Sequence, residues 1–301
     1  MNEKKGVGKS ILTIIGKVLL CVVFIAVITI VLSIIAAVIT IAGQPSLMSD
    51  PMAIAKDAAF VQMAQWSQII GFIGGVFISY AIFERRKGWP LGLNTKRLWS
   101  RFGEGFLAGV ILITASCGLI WLFGGVKLIS VHGSAAISLD MLLGFLLFIG
   151  VGMNEELFSR GYLQGLVQVR FGTVIAVAVS TILFAFLHSN NPGMWDSPLP
   201  IINLLLAGLL FGVSRVSTGG LWMPIGMHLS WNFFQGNVYG FDVSGTRTVS
   251  IFQMEKSGST VISGGSFGAE GSLVTTVILL VGIALIYMYY QRANVRNQLS
   301  A

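Results

Sequence analysis

Residues 18–43 read VLLCVVFIAVITIVLSIIAAVITIAG, from Val18 to Gly43 without a charged side chain. A bilayer core takes about 20 apolar residues in a helix, and this run exceeds that length. It is also far longer than the apolar core of a secretion signal, so it reads as a retained anchor. The same texture recurs. Ser67–Phe83, Phe106–Val126, Met141–Met153, Thr173–Leu187, Leu199–Val213, Leu221–Phe234 and Leu273–Tyr290 bring the candidate spans to eight. The expected fold is all-α, a polytopic transmembrane helical bundle of about eight spans.

Composition agrees. Charged residues make up 10% of the 301, against about 25% in soluble proteins. The apolar types make up 54% and the mean hydropathy is +0.82. There is too little polar surface to cover a water-facing globule, which excludes a soluble enzyme, a disordered chain and a disulfide-stapled secreted domain. Cys21 and Cys117 both sit inside apolar runs and read as small packing residues. The net charge is +7. No basic patch is interleaved with aromatics, so nucleic acid is not an expected partner; the lipid bilayer is.

Basic residues instead report orientation. With eight spans both termini lie on one side. That side collects Lys4, Lys5, Lys9, Lys17, Arg85, Arg86, Lys87, Lys96, Arg97, Arg101, Arg160, Arg170, Arg215, Arg292 and Arg296, which is 15 of 19. Lys56, Lys127, Arg247 and Lys256 fall on the other. The asymmetry predicts an integral cell-membrane protein with both termini cytoplasmic. Of the two long non-cytoplasmic connections, Gln44–Trp66 has the mixed character of an interfacial segment. Gln235–Ser272, rich in Gly and Ser, reads as a flexible loop.

Spans four to seven are short because polar residues interrupt them. An ionisable group inside a bilayer costs about 2.5–3.5 kcal/mol, so a cluster of them marks a functional site by default. The first interruption is Asn154-Glu155-Glu156-Leu157-Phe158-Ser159-Arg160. Adjacent carboxylates on a helix point about 100° apart, so Glu155 and Glu156 do not serve one site in the same way. Glu156 and Arg160 are four apart with the acid N-terminal, the favoured order for an ion pair. They read as a structural pair, with Glu155 left for chemistry; taken alone, the stretch reads equally well as a charged helix end at the interface. The second interruption pairs Phe184 with His188 and the third pairs His228 with Asn232, each four apart on one face. Singly, a histidine at a helix end is an ordinary interface residue, and His with Asn is ordinary glue between membrane helices. The chain has three histidines; His132 lies in a loop and reads as solvated.

The ordered set EExxxR, FxxxH and HxxxN resembles the CPBP (Abi) intramembrane proteases. These comprise the CAAX prenyl proteases of the Ras-converting type and the bacteriocin-processing or immunity proteins. The resemblance covers roughly Met141–Gly236, and it implies a four-helix catalytic core. Residues 1–136 would then supply N-terminal transmembrane helices and loops, 137–236 the core, and 237–301 an outer loop and a last helix. It further implies a hydrolase that cuts a peptide bond of a membrane-bound peptide or protein, as in CAAX-type or peptide-leader processing. Glu155 would be the general base on a water assisted by His188, and His228 with Asn232 would stabilise the oxyanion. Glu156, Arg160 and Phe184 would support them. Peptide hydrolysis needs such a base and such donors, and no Ser-His-Asp, nucleophile-elbow or H-E-x-x-H pattern competes.

Glu155, His188 and His228 also supply one carboxylate and two imidazoles, a ligand set known for catalytic zinc. The residues alone do not separate a metalloprotease from direct activation of water by glutamate. Two other classes stay open: a non-enzymatic membrane immunity or regulatory protein, and a transporter. The transporter is disfavoured by the absence of paired broken helices in two matching halves. One tension concerns depth. At 1.5 Å per residue, Glu155 is about 21 Å into the fourth span, and His188 about 22 Å into the fifth in the opposite sense. They would face opposite membrane surfaces unless the fourth helix runs on through Tyr162 and Leu163.

Overall fold

The uncharged run forms one helix, α1 (Asn2–Gly43), in a computed structural model that describes residues 2–133 and 138–299. α2 (Pro51–Lys56) and α3 (Ala58–Phe83) follow, each started by an aspartate. The Asp50 carboxylate accepts from the backbone N–H of Met52 and Ala53, and Asp57 from that of Phe60. These oxygens satisfy donors that a first helical turn leaves open. Next come α4 (Leu98–Leu122), strand β1 (Val126–Val131), α5 (Leu139–Glu156), a π turn over Leu157–Leu163, α6 (Gln164–Leu187), α7 (Leu199–Thr218) and α8 (Trp222–Phe233). α8 runs into a second π turn, Phe234–Val238. Strand β2 (Phe252–Lys256), the short α9 (Thr260–Ser263) and α10 (Leu273–Leu299) follow.

Among the described residues, six helical stretches are long and apolar enough to cross a membrane: Gly6–Gly43, Ala58–Phe83, Leu98–Leu122, Leu139–Leu187, Leu199–Thr218 and Leu273–Gln291. The chain is an all-α, polytopic integral membrane protein. It divides into two compact units, described separately below: Met1–Trp89 with Met153–Phe158, and Pro90–Gly152 with Ser159–Ala301.

In the first unit α3 packs on α1 through Gly71 and Gly75, one turn apart. A Cβ at Gly71 would lie 2.0 Å from the Thr29 hydroxyl, and one at Gly75 would lie 2.8 Å from the Ile25 nitrogen. Small residues four apart let membrane helices approach backbone to backbone. Just past α3, the buried Glu84 accepts hydrogen bonds from Lys17, from Lys87 at 3.2 Å and from the Trp89 indole at 2.9 Å. Burial raises its pKa, but the donors outweigh it and hold the carboxyl below its ordinary value.

The second unit is built around α8, whose residues from Met223 to Asn232 are all buried. α4 meets it through another glycine pair. A Cβ at Gly105 would lie 2.0 Å from the Met223 carbonyl oxygen, and one at Gly109 would lie 2.5 Å from that of Met227. α5 passes it at Gly152, where a Cβ would stand 3.3 Å from the Ile225 carbonyl oxygen and 3.6 Å from the His228 Cβ. A helix walled by protein rather than lipid has no need of 20 apolar residues, which is why the seventh expected span is short and polar.

The 49-residue stretch Leu139–Leu187 is not one rod. Gly172 has φ 79° and ψ 173°, a region open essentially to glycine alone. Ser180 donates to the Gln164 side-chain oxygen at 3.3 Å. Sixteen residues of straight helix would set those two about 24 Å apart, so the chain folds back at Gly172. The fourth helical segment thus does not stop at Met153, the expected boundary, but runs on through the first π turn to Phe171. Its polar side chains did not end it because Asn154, Glu156, Ser159, Arg160 and Gln164 are all buried in protein.

Two further expectations are corrected. The third span ends at Leu122, and Val126 belongs to β1, which pairs antiparallel with β2 across a bulge at Leu128/Ser130. The β-branched Val126, Ile129 and Val131 suit a strand better than a helix end. His132 extends this pairing, its N–H donating to the Ile251 carbonyl at 2.8 Å, while its side chain is exposed. Gln235–Ser272 is tied down rather than loose. The Glu270 carboxylate accepts from the Ser244 N–H and hydroxyl at 2.7 and 2.8 Å, and Asn203 donates to the carbonyls of Glu270 and Ser272. Its glycines and serines make turns and side-chain bonds.

Two outcomes are expected. Gly172→Ala costs about 1–3 kcal/mol through φ strain, although open space surrounds its Cβ position. Gly103→Ala, equally open but at negative φ, does not; thermal unfolding in detergent compares them. Because the Glu84 pKa is lowered, its stabilisation is complete above the ordinary carboxylate value of about 4.3. It is lost as pH falls through the lowered value, so Glu84→Gln flattens that acid limb in a melting-temperature series.

Candidate active site

His188 is the residue at which α6 ends, and it is half-buried. Its Nδ1 lies 2.9 Å from the Phe184 carbonyl oxygen, one turn back. A carbonyl can only accept, so in this hydrogen bond Nδ1 carries the proton and donates it. The four-residue spacing of this motif therefore has a local cause: the imidazole satisfies a carbonyl that the helix end leaves open. What results is an imidazole held against its own helix end.

Beneath it lies a buried cation. Arg160 is 0% exposed. Its guanidinium carbon stands 4.1 Å over the Phe184 ring and 5.2 Å from the Phe211 ring, and it donates to the Gly208 carbonyl oxygen at 3.1 Å. A desolvated cation on an aromatic face is worth about 2 kcal/mol. Phe184 also meets both histidines. Its ring centroid is 4.9 Å from that of His188 and 6.1 Å from that of His228. Phe211 stacks on His228 at 5.0 Å with 16° between the planes. His228 and Asn232 are 5% and 6% exposed, and both lie on α8.

One unit thus brings together Arg160, Phe184, His188 and His228 of the expected set, with Asn232 one turn beyond His228. Glu155 and Glu156 sit on the last turn of α5, in the stretch that groups with the other unit. Glu156 is fully buried and Glu155 partly so. The backbone after them is a π turn, closed by i→i+5 bonds, so the face shared by Glu156 and Arg160 is no longer set by α-helical spacing. The second π turn follows Asn232 in the same way. Such turns concentrate at functional sites. Among the described residues no three His, Cys, Asp or Glu side chains form a group able to hold a metal ion.

Sequence reasoning missed Phe211 and Gly208, both on α7. Gly208 and Gly212 are spaced as a close-contact pair, and a Cβ on Gly208 would lie 3.2 Å from the Thr181 Cα; that spacing was visible. Phe211 gave no signal, being one more aromatic in an apolar helix.

Residues 137–234 match the family profile described as type II CAAX prenyl endopeptidase Rce1-like. An uncharacterised 24.3 kDa protein of Escherichia coli is 29% identical over 93 residues, which is 30% of this chain and 41% of that protein. The matched stretch thus spans less than half of that relative. It is the segment from α5 to α8, with all three motifs and the cation under its aromatic layer, that is similar to the Rce1-like family.

Proposed function

We propose that this protein is an intramembrane endopeptidase that hydrolyses a peptide bond of a membrane-associated peptide or protein, of CAAX or leader type. The observation that carries the reading is that His188 and the buried His228 both meet the Phe184 ring, within the segment that matches the peptidase family. Glu155 takes a proton from water that His188 helps to hold. The water oxygen bonds to the carbonyl carbon, and the electron pair moves onto the oxygen. His228 and Asn232 donate to that oxyanion. When the C–N bond breaks, the proton held by Glu155 goes to the leaving amine. A positioned base contributes about 10²–10⁴-fold, and an oxyanion donor about 10²–10³-fold.

The meeting of Glu155 with the histidines is itself part of this proposal. Glu155 lies 17 residues before Gly172 and His188 16 after it, runs of about 25 and 24 Å of helix from the reversal. A Cβ built on Gly152, in the same helix as Glu155, would stand 3.6 Å from the His228 Cβ. Arg160 serves as scaffold, donating to Gly208 and lying over two rings. No step is routed through a metal.

The test compares membrane-protein termini in cells carrying the wild type, Glu155→Gln, His188→Ala or His228→Ala. New C-termini present only with the wild type are expected, with each variant lowering cleavage at least 10²-fold at normal abundance. Full cleavage by all three ends the peptidase reading and favours a regulatory membrane protein. Elemental analysis of purified protein, with cleavage measured after chelation, decides the zinc question separately.

A further inference from the structure

Phe211 belongs to none of the three motifs, yet its 3% exposed ring is wedged between the buried guanidinium and the His228 imidazole. We propose that Phe211 is a positioning residue that sets the plane of the His228 ring, and with it the direction of the His228 donor. The inference rests on the peptidase reading above.

The argument is geometric. The last torsion of a histidine side chain is broad and roughly two-fold, unlike the staggered wells of an aliphatic chain. A buried imidazole with no flat neighbour therefore swings through a range of planes. A hydrogen bond weakens steeply once its angle falls below about 120°, so a swinging ring is a poor oxyanion donor. Here one face of His228 lies parallel to Phe211 at 5.0 Å, and turning the ring would drive its edge into that face. Phe184 closes a second side edge-on, at 6.1 Å and 76°. Phe211 is itself clamped, with the edge of Phe184 against it at 6.1 Å and 90°. Behind both rings stands Arg160, pinned to the Gly208 carbonyl one turn before Phe211 on α7. The cation thus holds the rings, and the rings hold the imidazole.

The test uses the full chain in detergent, with a fluorogenic farnesylated peptide ending in a CAAX box as the probe. Phe211→Met fills much of the ring's volume without a flat face, Phe211→Tyr keeps the face, and Phe211→Leu serves if the methionine variant does not fold. The methionine or leucine variant is expected to lower kcat on the order of tenfold with KM within about twofold, and the tyrosine variant to stay within about threefold of wild type. In parallel, the His228 ring-proton resonance, assigned with His228→Ala, is expected to lose its ring-current shift with Met or Leu and keep it with Tyr. Wild-type kcat in the Met or Leu variant overturns the inference, as does an equal fall with Tyr. If His228→Ala cleaves normally, it is the peptidase reading that fails. If the wild type leaves this probe intact, the ring-current shift still decides whether Phe211 holds His228.

Discussion

Backbone-to-backbone approach at paired glycines is the constraint on which the fold depends. Lipid tails are as apolar as leucine, so burying apolar surface does little to draw membrane helices together. Contact has to come from close packing. Gly71 with Gly75, Gly105 with Gly109, and Gly208 with Gly212 each remove the two Cβ atoms that would hold neighbouring helices apart. In the second unit this places α4 hard against α8, and α7 against α6. Only at that range can the Gly208 carbonyl reach a guanidinium carried by a different helical segment, and Phe211 reach an imidazole on α8.

The site then follows from how one buried charge is accommodated. A cation in a low-dielectric interior is costly, and Arg160 is fully enclosed. Two aromatic faces and a carbonyl take up much of its field. The same two rings turn their other surfaces to His188 and His228. A layer of carbon therefore lies between the guanidinium and the two imidazoles. Charge and chemistry are neighbours without being in direct contact, an arrangement that aliphatic side chains of similar size would not give, because they lack a face that attracts cations.

Much of this was readable from the amino-acid order. The uncharged 18–43 run and its echoes gave the membrane class, and the spacings at 155–160, 184–188 and 228–232 picked out residues that do gather in part. The misreadings share a physical origin. Hydropathy assumes that a helix faces lipid, so it ended the fourth span at Met153, where buried polar residues begin. It did find α8, as Leu221–Phe234, although protein surrounds that helix. Gly and Ser richness at 235–272 was taken for looseness, whereas Ser244, Ser272 and the turn-forming glycines there are bound to specific partners. Phe211 matters through contacts on three sides, and no local pattern announces a residue of that kind.

The reversal at Gly172 also bears on how such a chain can change over evolutionary time. Most helical hairpins are joined by a loop of a few residues that can absorb an added or lost residue. Here a single glycine makes the turn, with helix on both sides. An insertion between Arg160 and Gly172, or between Gly172 and His188, has no slack in which to disappear. It would rotate everything beyond it by about 100° and shift it by 1.5 Å, carrying Gln164 away from Ser180 or His188 away from His228. Length, rather than residue identity, is the quantity this arm of the protein has least freedom to alter.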